Sequence, residues 1–299
     1  MHTPEINRSA DQLDRPGVSR LLDAAAAADG RYPLSDHLRL ELEHGGRPGF
    51  AGLTVDGDDG LVAYAQIAAA NDVHTVELVV APSARQDTGI AGDVLAAAVD
   101  VVAGDGGGRV QWWAFDATPA DDDLARAAGL AMTRELHQMR VPLPSDVPFD
   151  VTTRPFVPGR DEAAWLAVNN RAFATHPEQG GWTAETLDQR EQESWFDPGG
   201  FLLHERDGRL AAFCWTKLHH SENPVLGEIY VIAVDPDFQG LGLGRQLTLA
   251  GLASIADHDV RIGMLYVDGD NTGAVALYEK LGFTIHRTDR AYTAEVRAR

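Results

Sequence analysis

Two stretches 153 residues apart carry one short signature: Gln86-Asp87-Thr88-Gly89-Ile90-Ala91 and Gln239-Gly240-Leu241-Gly242-Leu243-Gly244 both read Q-x-x-G-x-G/A. Each follows a Val-x-Pro strand end, Val80-Ala81-Pro82 or Val234-Asp235-Pro236, and each opens an apolar-periodic helix. A glycine turn running into a helix leaves backbone N–H groups unpaired at the positive end of the helix dipole, which suits a pyrophosphate. A chain written this way is constrained to fold as one anion-binding module made twice.

The same shift aligns more than glycines. Ile90, Val94 and Val102 fall on Leu243, Leu247 and Ile255, positions that share one helix face. Strand-like Arg109–Phe115 falls on Ile262–Asp268, and the helix-ending Gly129-Leu130 on Gly282-Phe283. Prolines at 142, 144 and 148 stiffen a connecting segment, so the expected division is 1–141, a linker at 142–149, and 150–299. A length of 299 residues suits two domains of about 150 each. In the second half the pattern predicts helices over 161–174 and 183–193. A hairpin of strands 201–205 and 210–218 turns at Arg206-Asp-Gly-Arg209. Strand 228–234, the glycine turn and its helix, strand 262–268, helix 273–281 and a last strand near 284–294 follow. The fold class is α/β, with a mixed sheet between helices.

Composition narrows the function. A net charge of −20 argues against binding a nucleic-acid backbone, which needs clustered cations. The single cysteine, Cys214, excludes an internal disulfide and a multi-cysteine metal site, and its apolar setting reads as core. His204, His219 and His220 lie about a polar hairpin without a recognised ligand spacing, so no metal is expected. Ala24–Ala28 is too short to span a bilayer, no leader segment is visible, and the expected compartment is the cytosol. Nothing calls for a second copy, so a monomer is expected.

Val234-Asp-Pro-Asp-Phe-Gln-Gly-Leu-Gly-Leu-Gly-Arg245, followed by Asn271-Thr-Gly-Ala-Val-Ala-Leu-Tyr-Glu-Lys-Leu-Gly-Phe283, resembles the GNAT acetyltransferase superfamily. The first segment is similar to its acyl-CoA pyrophosphate loop, the second to its N-x-x-A-x-x-x-Y-x-x-x-G-F segment beside the pantetheine. The resemblance implies two tandem acyl-CoA-binding domains with acetyl-CoA as donor. It places Ile232, Ala233, Val234, Gln239 to Arg245 (Gln239, Gly240, Leu241, Gly242, Leu243, Gly244, Arg245) and Asn271, Thr272, Gly273, Ala274, Val275 and Ala276 on the cofactor. It implies Glu228 as general base and Tyr278 as general acid; from the residues alone, strand alternation leaves either face open to Glu228.

Within the superfamily, two such halves with Asn170–Trp182 opening the second resemble a tandem branch acting on a small molecule, the cysteinyl amine of a cysteinyl-glucosaminyl-inositol. That likeness puts Asp36, Glu178, Lys217, Glu228 and Tyr266 on the acceptor, with aspartate at 36 where the branch more often has glutamate. In the first half Leu78, Val79, Val80 and the loop Gln86, Asp87, Thr88, Gly89, Ile90 and Ala91 are retained, but Ala125 stands at the position of Tyr278, and alignment on the prolines puts His74 at that of Glu228. The expectation is a first half that binds acetyl-CoA without turning it over, one cofactor per half. Another acceptor (an aminoglycoside or a protein N-terminus) and a non-catalytic acyl-CoA sensor stay open as alternatives.

Overall fold

The computed structural model describes residues 2–70, 73–176, 179–220 and 222–299. The chain divides into two units, Met1–Leu136 with 268–270 and 287–299, and His137–Val267 with 271–286.

The first unit opens with β1 (Glu5–Asn7), α1 (Arg15–Asp29) and α2 (Asp36–Glu43). Asp14 starts α1 by accepting from Gly17 N (3.1 Å), and Gly30, left-handed at φ +67°, ends it. The meander β2 (Ala51–Gly57), β3 (Gly60–Ala70), β4 (Val73–Val80) leads to α3 (Thr88–Gly104), β5 (Gly107–Ala114), α4 (Pro119–Ala127) and β6 (Ala131–Pro142). Pairing is antiparallel through β1-β2-β3-β4, and β4 runs parallel to β5. One apolar cluster (Val76, Val94, Val102, Val110, Trp112) lies between the sheet and α3; another (Val18, Leu22, Leu38, Tyr64) lies beneath α1 and α2.

The second stretch of sequence repeats the plan: β7 (Arg154–Pro155), α5 (Glu162–Ala172), α6 (Ala184–Glu191), β8 (Phe201–Arg206), β9 (Arg209–His219), β10 (Leu226–Val234), α7 (Leu243–Ala256), β11 (Ile262–Asp268), α8 (Thr272–Lys280) and β12 (Thr284–Arg297). The β8–β9 turn has left-handed Asp207 (φ +53°) and Gly208 (φ +72°), the backbone a two-residue hairpin needs. α7 and α8 cover one face around Leu247, Leu252, Ile255 and Phe283. The other face is aromatic: Phe201 stacks on Trp215 at 4.3 Å, and Trp165 meets both. That rigid base lies under the strands carrying the site.

The architecture is the expected mixed α/β type, with one connection that the repeat did not convey. β12 pairs with β5 of the first unit, from Arg290↔Ala114 to Arg297↔Gly107, although the cut at 142–149 leaves it in the second stretch. β6 neighbours β11, so its residues from His137 on belong to the second unit. Two strands that match under the shift have alike patterns, and either satisfies the open edge of either sheet.

Candidate active site

Three local features make the site, two of the backbone and one a side chain, all in the second unit. The first is a β-bulge. β10 pairs with β9 as Glu228↔Lys217 and Ile229↔Thr216, then resumes at Val231↔Trp215, leaving Tyr230 as the extra residue. The parallel ladder to β11 covers only Gly227↔Gly263 to Ile229↔Leu265, although β11 continues to Asp268. Beyond Ile229 the two strands part. The β11-facing edge of 231–234, Ile232, Ala233 and Val234 included, therefore has no ladder partner among the described residues, and its amides and carbonyls are available to an extended, amide-bearing molecule laid along it.

The second irregularity closes the other end of that opening. Gly240 (φ +77°) and Gly242 (φ +75°) are left-handed around exposed Leu241. α7 starts at Leu243 with Gly242 as its N-cap and no side-chain cap bond, so its first N–H groups are free to meet an anion. A Cβ at either glycine would meet nothing within 4 Å, leaving space beside the backbone. Gln239 and Gly244 flank the turn, and Arg245 forms no ion pair among the described residues, which leaves a free cation on the first helical turn. The acids of the turn are already neutralised. Arg171 reaches Asp235 (3.3 Å) and Asp237 (2.9 Å), and Arg209 reaches Asp237 (2.8 Å), which holds the Asp237 carboxyl below its usual range.

The third is the buried phenol on α8. Asn271 Oδ1 caps that helix by accepting from Ala274 N (3.2 Å); Thr272 and Gly273 are exposed, and Ala274, Val275 and Ala276 are half-buried. Tyr278, 8% exposed, packs on Phe283, and burial pushes its phenol up to about 12, with Cys214 adding a smaller share. It is protonated at neutral pH and can donate. Tyr278, Cys214 and Ile229 share one cluster, so the residue next to Ile229, Glu228, faces the opposite side of the sheet.

There Glu228, 8% exposed, has its Oε2 2.7 Å from His219 Nε2, within hydrogen-bond distance. Lys217, opposite in the ladder, makes no ion pair with it; its Nζ lies 4.6 Å over the Trp195 ring and 5.6 Å from that of Tyr230. Tyr266, on β11, is partly exposed, and its hydroxyl accepts from Gln138 Nε2 at 2.8 Å. Glu178 lies outside the described residues. Asp36 opens α2 of the first unit, and its side chain is likewise outside the description. A carboxylate and a phenol approaching one opened strand from opposite faces can serve a proton-removing and a proton-donating step.

The chain is similar to known proteins in sequence and in fold. The model of the Acetyltransferase (GNAT) family matches residues 165–283. A protein of Thermobispora bispora named mycothiol acetyltransferase is 46% identical over 93% of this chain and 95% of its own. One of Streptomyces coelicolor with the same name is 47% identical over 93% and 91%. The chain belongs to the mycothiol acetyltransferase family. It is an acyltransferase. Two solved structures share the fold of this mycothiol acetyltransferase family chain. A GCN5-related N-acetyltransferase from Sphaerobacter thermophilus has a TM-score of 0.72 at 22% identity, covering 94% of this chain and 92% of its own. A tandem GNAT protein from the clavulanic acid biosynthesis pathway has a TM-score of 0.68 at 19% identity, covering 100% and 99%.

The first unit of this mycothiol acetyltransferase family member lacks the bulge, the left-handed glycine turn and the phenol. Its β3–β4 ladder runs unbroken from Ala63↔Val80 to Ala70↔Val73, so the bulge is absent, although β4 and β5 also part beyond Glu77↔Trp113. α3 starts at Thr88, so Gly89 is helical where the matching Gly242 is left-handed. Asp87, at the place of Gly240, accepts from Gly89 N (3.0 Å) and meets His2 Nε2 (3.1 Å). Ala125 is buried at the place of Tyr278. Counting back from the prolines crosses the bulge, so that count misses by one: the parallel ladders pair Thr75 with Gln111 as they pair Glu228 with Met264. Thr75, not His74, is the counterpart of the carboxylate. The residue that sequence reasoning passed over is His219, dismissed with its neighbours as metal ligands. Its signal was the hairpin register, which places it diagonal to Glu228 on one face.

Proposed function

We propose that the second unit binds one acetyl-CoA and transfers its acetyl group to the cysteinyl amine of a cysteinyl-glucosaminyl-inositol, the step that forms mycothiol. The observation that carries this reading is the wedge between β10 and β11 ending on the Gly240–Gly242 turn. The diphosphate takes the free N–H groups of the turn and of Leu243 and Gly244, with Arg245 as counter-charge, and the pantetheine amides take the open edge of Ile232, Ala233 and Val234. Asn271 to Ala276 flank the thiol end. The acceptor nitrogen attacks the thioester carbon, forming the C–N bond as the C–S bond breaks; Glu228 takes the ammonium proton, and Tyr278 gives its phenolic proton to the departing sulfur. The amine approaches from the Glu228 face, where Lys217 and Tyr266 meet the hydroxyl-rich remainder. An acidic chain favours a cationic acceptor.

One acetyl-CoA per chain, rather than one per unit, is favoured by the loop 86–91. Asp87 occupies with its own carboxylate the N–H a phosphate oxygen would need, and Gly92 and Asp93 stand where the second unit has Arg245 and Gln246. Leu78, Val79 and Val80 then serve only as strand. Among the described residues, no helix is long and apolar enough to cross a membrane.

The test is a mass-spectrometric acceptor screen with acetyl-CoA, because the acceptor's own thiol would confuse a thiol assay. N-acetylation of the cysteinyl pseudodisaccharide in preference to aminoglycosides and peptide N-termini is expected. Selective acetylation of one of those instead, or hydrolysis without transfer, would overturn the assignment.

A further inference from the structure

We infer that His219 is a positioning residue for Glu228, holding one carboxylate oxygen so that the other is presented to the acceptor amine. The inference rests on the proposed role of Glu228 as base. Antiparallel register sets Leu226 against His219 and Glu228 against Lys217, so His219 and Glu228 are diagonal neighbours on one face, within reach of long side chains. His219 Nε2 lies 2.7 Å from Oε2 of Glu228, and both side chains are largely buried, 22% and 10% exposed. At that separation two bare lone pairs repel, so a proton lies between the atoms; with Glu228 ionised, as a base must be, an imidazole N–H donates it. A bond shielded from water is worth more than an exposed one. It uses only Oε2, leaving Oε1 with its lone pairs for the ammonium proton.

The alternative partner makes the role specific. Lys217 stands directly across the ladder, and an ion pair with it would pull the carboxylate along the sheet. Instead the ammonium rests over the Trp195 and Tyr230 rings, and among the described residues His219 alone bonds the Glu228 side chain. Take the imidazole away and the carboxylate is free to swing toward Lys217, out of line for proton removal. His219 is the last residue of β9 and belongs to none of the four apolar clusters, so its loss leaves the core intact.

The experiment uses the full chain with acetyl-CoA and the cysteinyl pseudodisaccharide, comparing His219→Ala, His219→Gln, Glu228→Gln and the double variant His219→Ala/Glu228→Gln. A misaligned catalytic group typically costs up to about 100-fold. His219→Ala should therefore lose about 10- to 100-fold in kcat, with KM for acetyl-CoA within about twofold. His219→Gln keeps an N–H donor and should recover to within about fivefold of the parent. On the Glu228→Gln background, removing His219 should cost nothing further, because there is no carboxylate to aim. A His219→Ala rate within about threefold of the parent overturns the inference, as does the same fractional loss on both backgrounds. Should His219→Ala fail to fold, His219→Gln replaces it in the cycle with a readout at the pH–rate profile, whose unchanged shape supports positioning and whose lost limb overturns it. Full activity in Glu228→Gln would instead overturn the base assignment; a slow Glu228→Gln beside an unaffected His219→Ala overturns this inference alone.

Discussion

Replacing Gly242 with alanine isolates backbone conformation from sterics. The added Cβ has no heavy atom within 4 Å, so it clashes with nothing, yet the residue must hold φ +75° at the cap of α7. An L-residue pays about 1–2 kcal/mol for the left-handed region. If that strain tips the free loop out of the competent shape, the competent fraction falls and the apparent dissociation constant rises by its inverse, about 5- to 30-fold. Titration calorimetry with CoA should show this loss, and steady-state rates should show KM for acetyl-CoA rising in step while kcat at saturation stays put. Gly242→Asn should recover part of the affinity, because asparagine visits the left-handed region more readily. Gly227→Ala is the control: its Cβ would run into Ile255, so it should lower the thermal midpoint without a selective effect on CoA. Alanine at 242 binding CoA as tightly as glycine, or asparagine faring no better than alanine, would refute the reasoning.

Glu228→Gln should lower kcat by about 10²- to 10⁴-fold with CoA affinity unchanged, the scale of a lost proton acceptor, read by steady-state kinetics. Tyr278→Phe should do likewise. Its alkaline unfolding profile also carries a signature. The folded phenol titrates near 12 against 10 for the ordinary group, so its share of stability is complete below pH 10 and drains away as pH rises toward 12. The phenylalanine variant should lose less stability than the parent across that window, and an identical slope would count against a buried phenol. Calorimetry of the parent should return one CoA per chain; a stoichiometry of two would show that the Asp87 cap yields to a diphosphate.

Much of the fold was legible because apolar spacing and turn residues are local. The hairpin at Arg206–Arg209 and the helices after each glycine turn follow from such signals. The bulge did not, because Tyr230 sits in an unbroken strand-forming run, and only the ladder reveals which residue is extra. The same omission moved the counterpart of Glu228 from Thr75 to His74. The exchange of last strands escaped for another reason: β6 and β12 match under the repeat, and pattern does not say which edge each will fill. Likeness of letters also hid a difference of state. Gln86–Ala91 keeps the spacing of the second loop, but an acid at 87 can cap the helix that a glycine at 240 leaves open, and that single substitution was visible in the chain all along.

The two units show what separates a site from a scaffold within one molecule. A bulge gives up ladder bonds, left-handed turns give up helix, and a buried phenol and carboxylate carry desolvation. None of these is required to fill a core, and the first unit, which has a continuous ladder, an earlier helix start and Ala125, packs Val94, Val102, Val110 and Trp112 as fully as its sister packs Leu247, Leu252 and Ile255. Local departures from ideal geometry in the second unit are therefore not consequences of the fold, since the same fold forms without them. They converge on one strand, from Glu228 through Tyr230 to the turn at Gly242, and that convergence is what a bound thioester and an approaching amine would require.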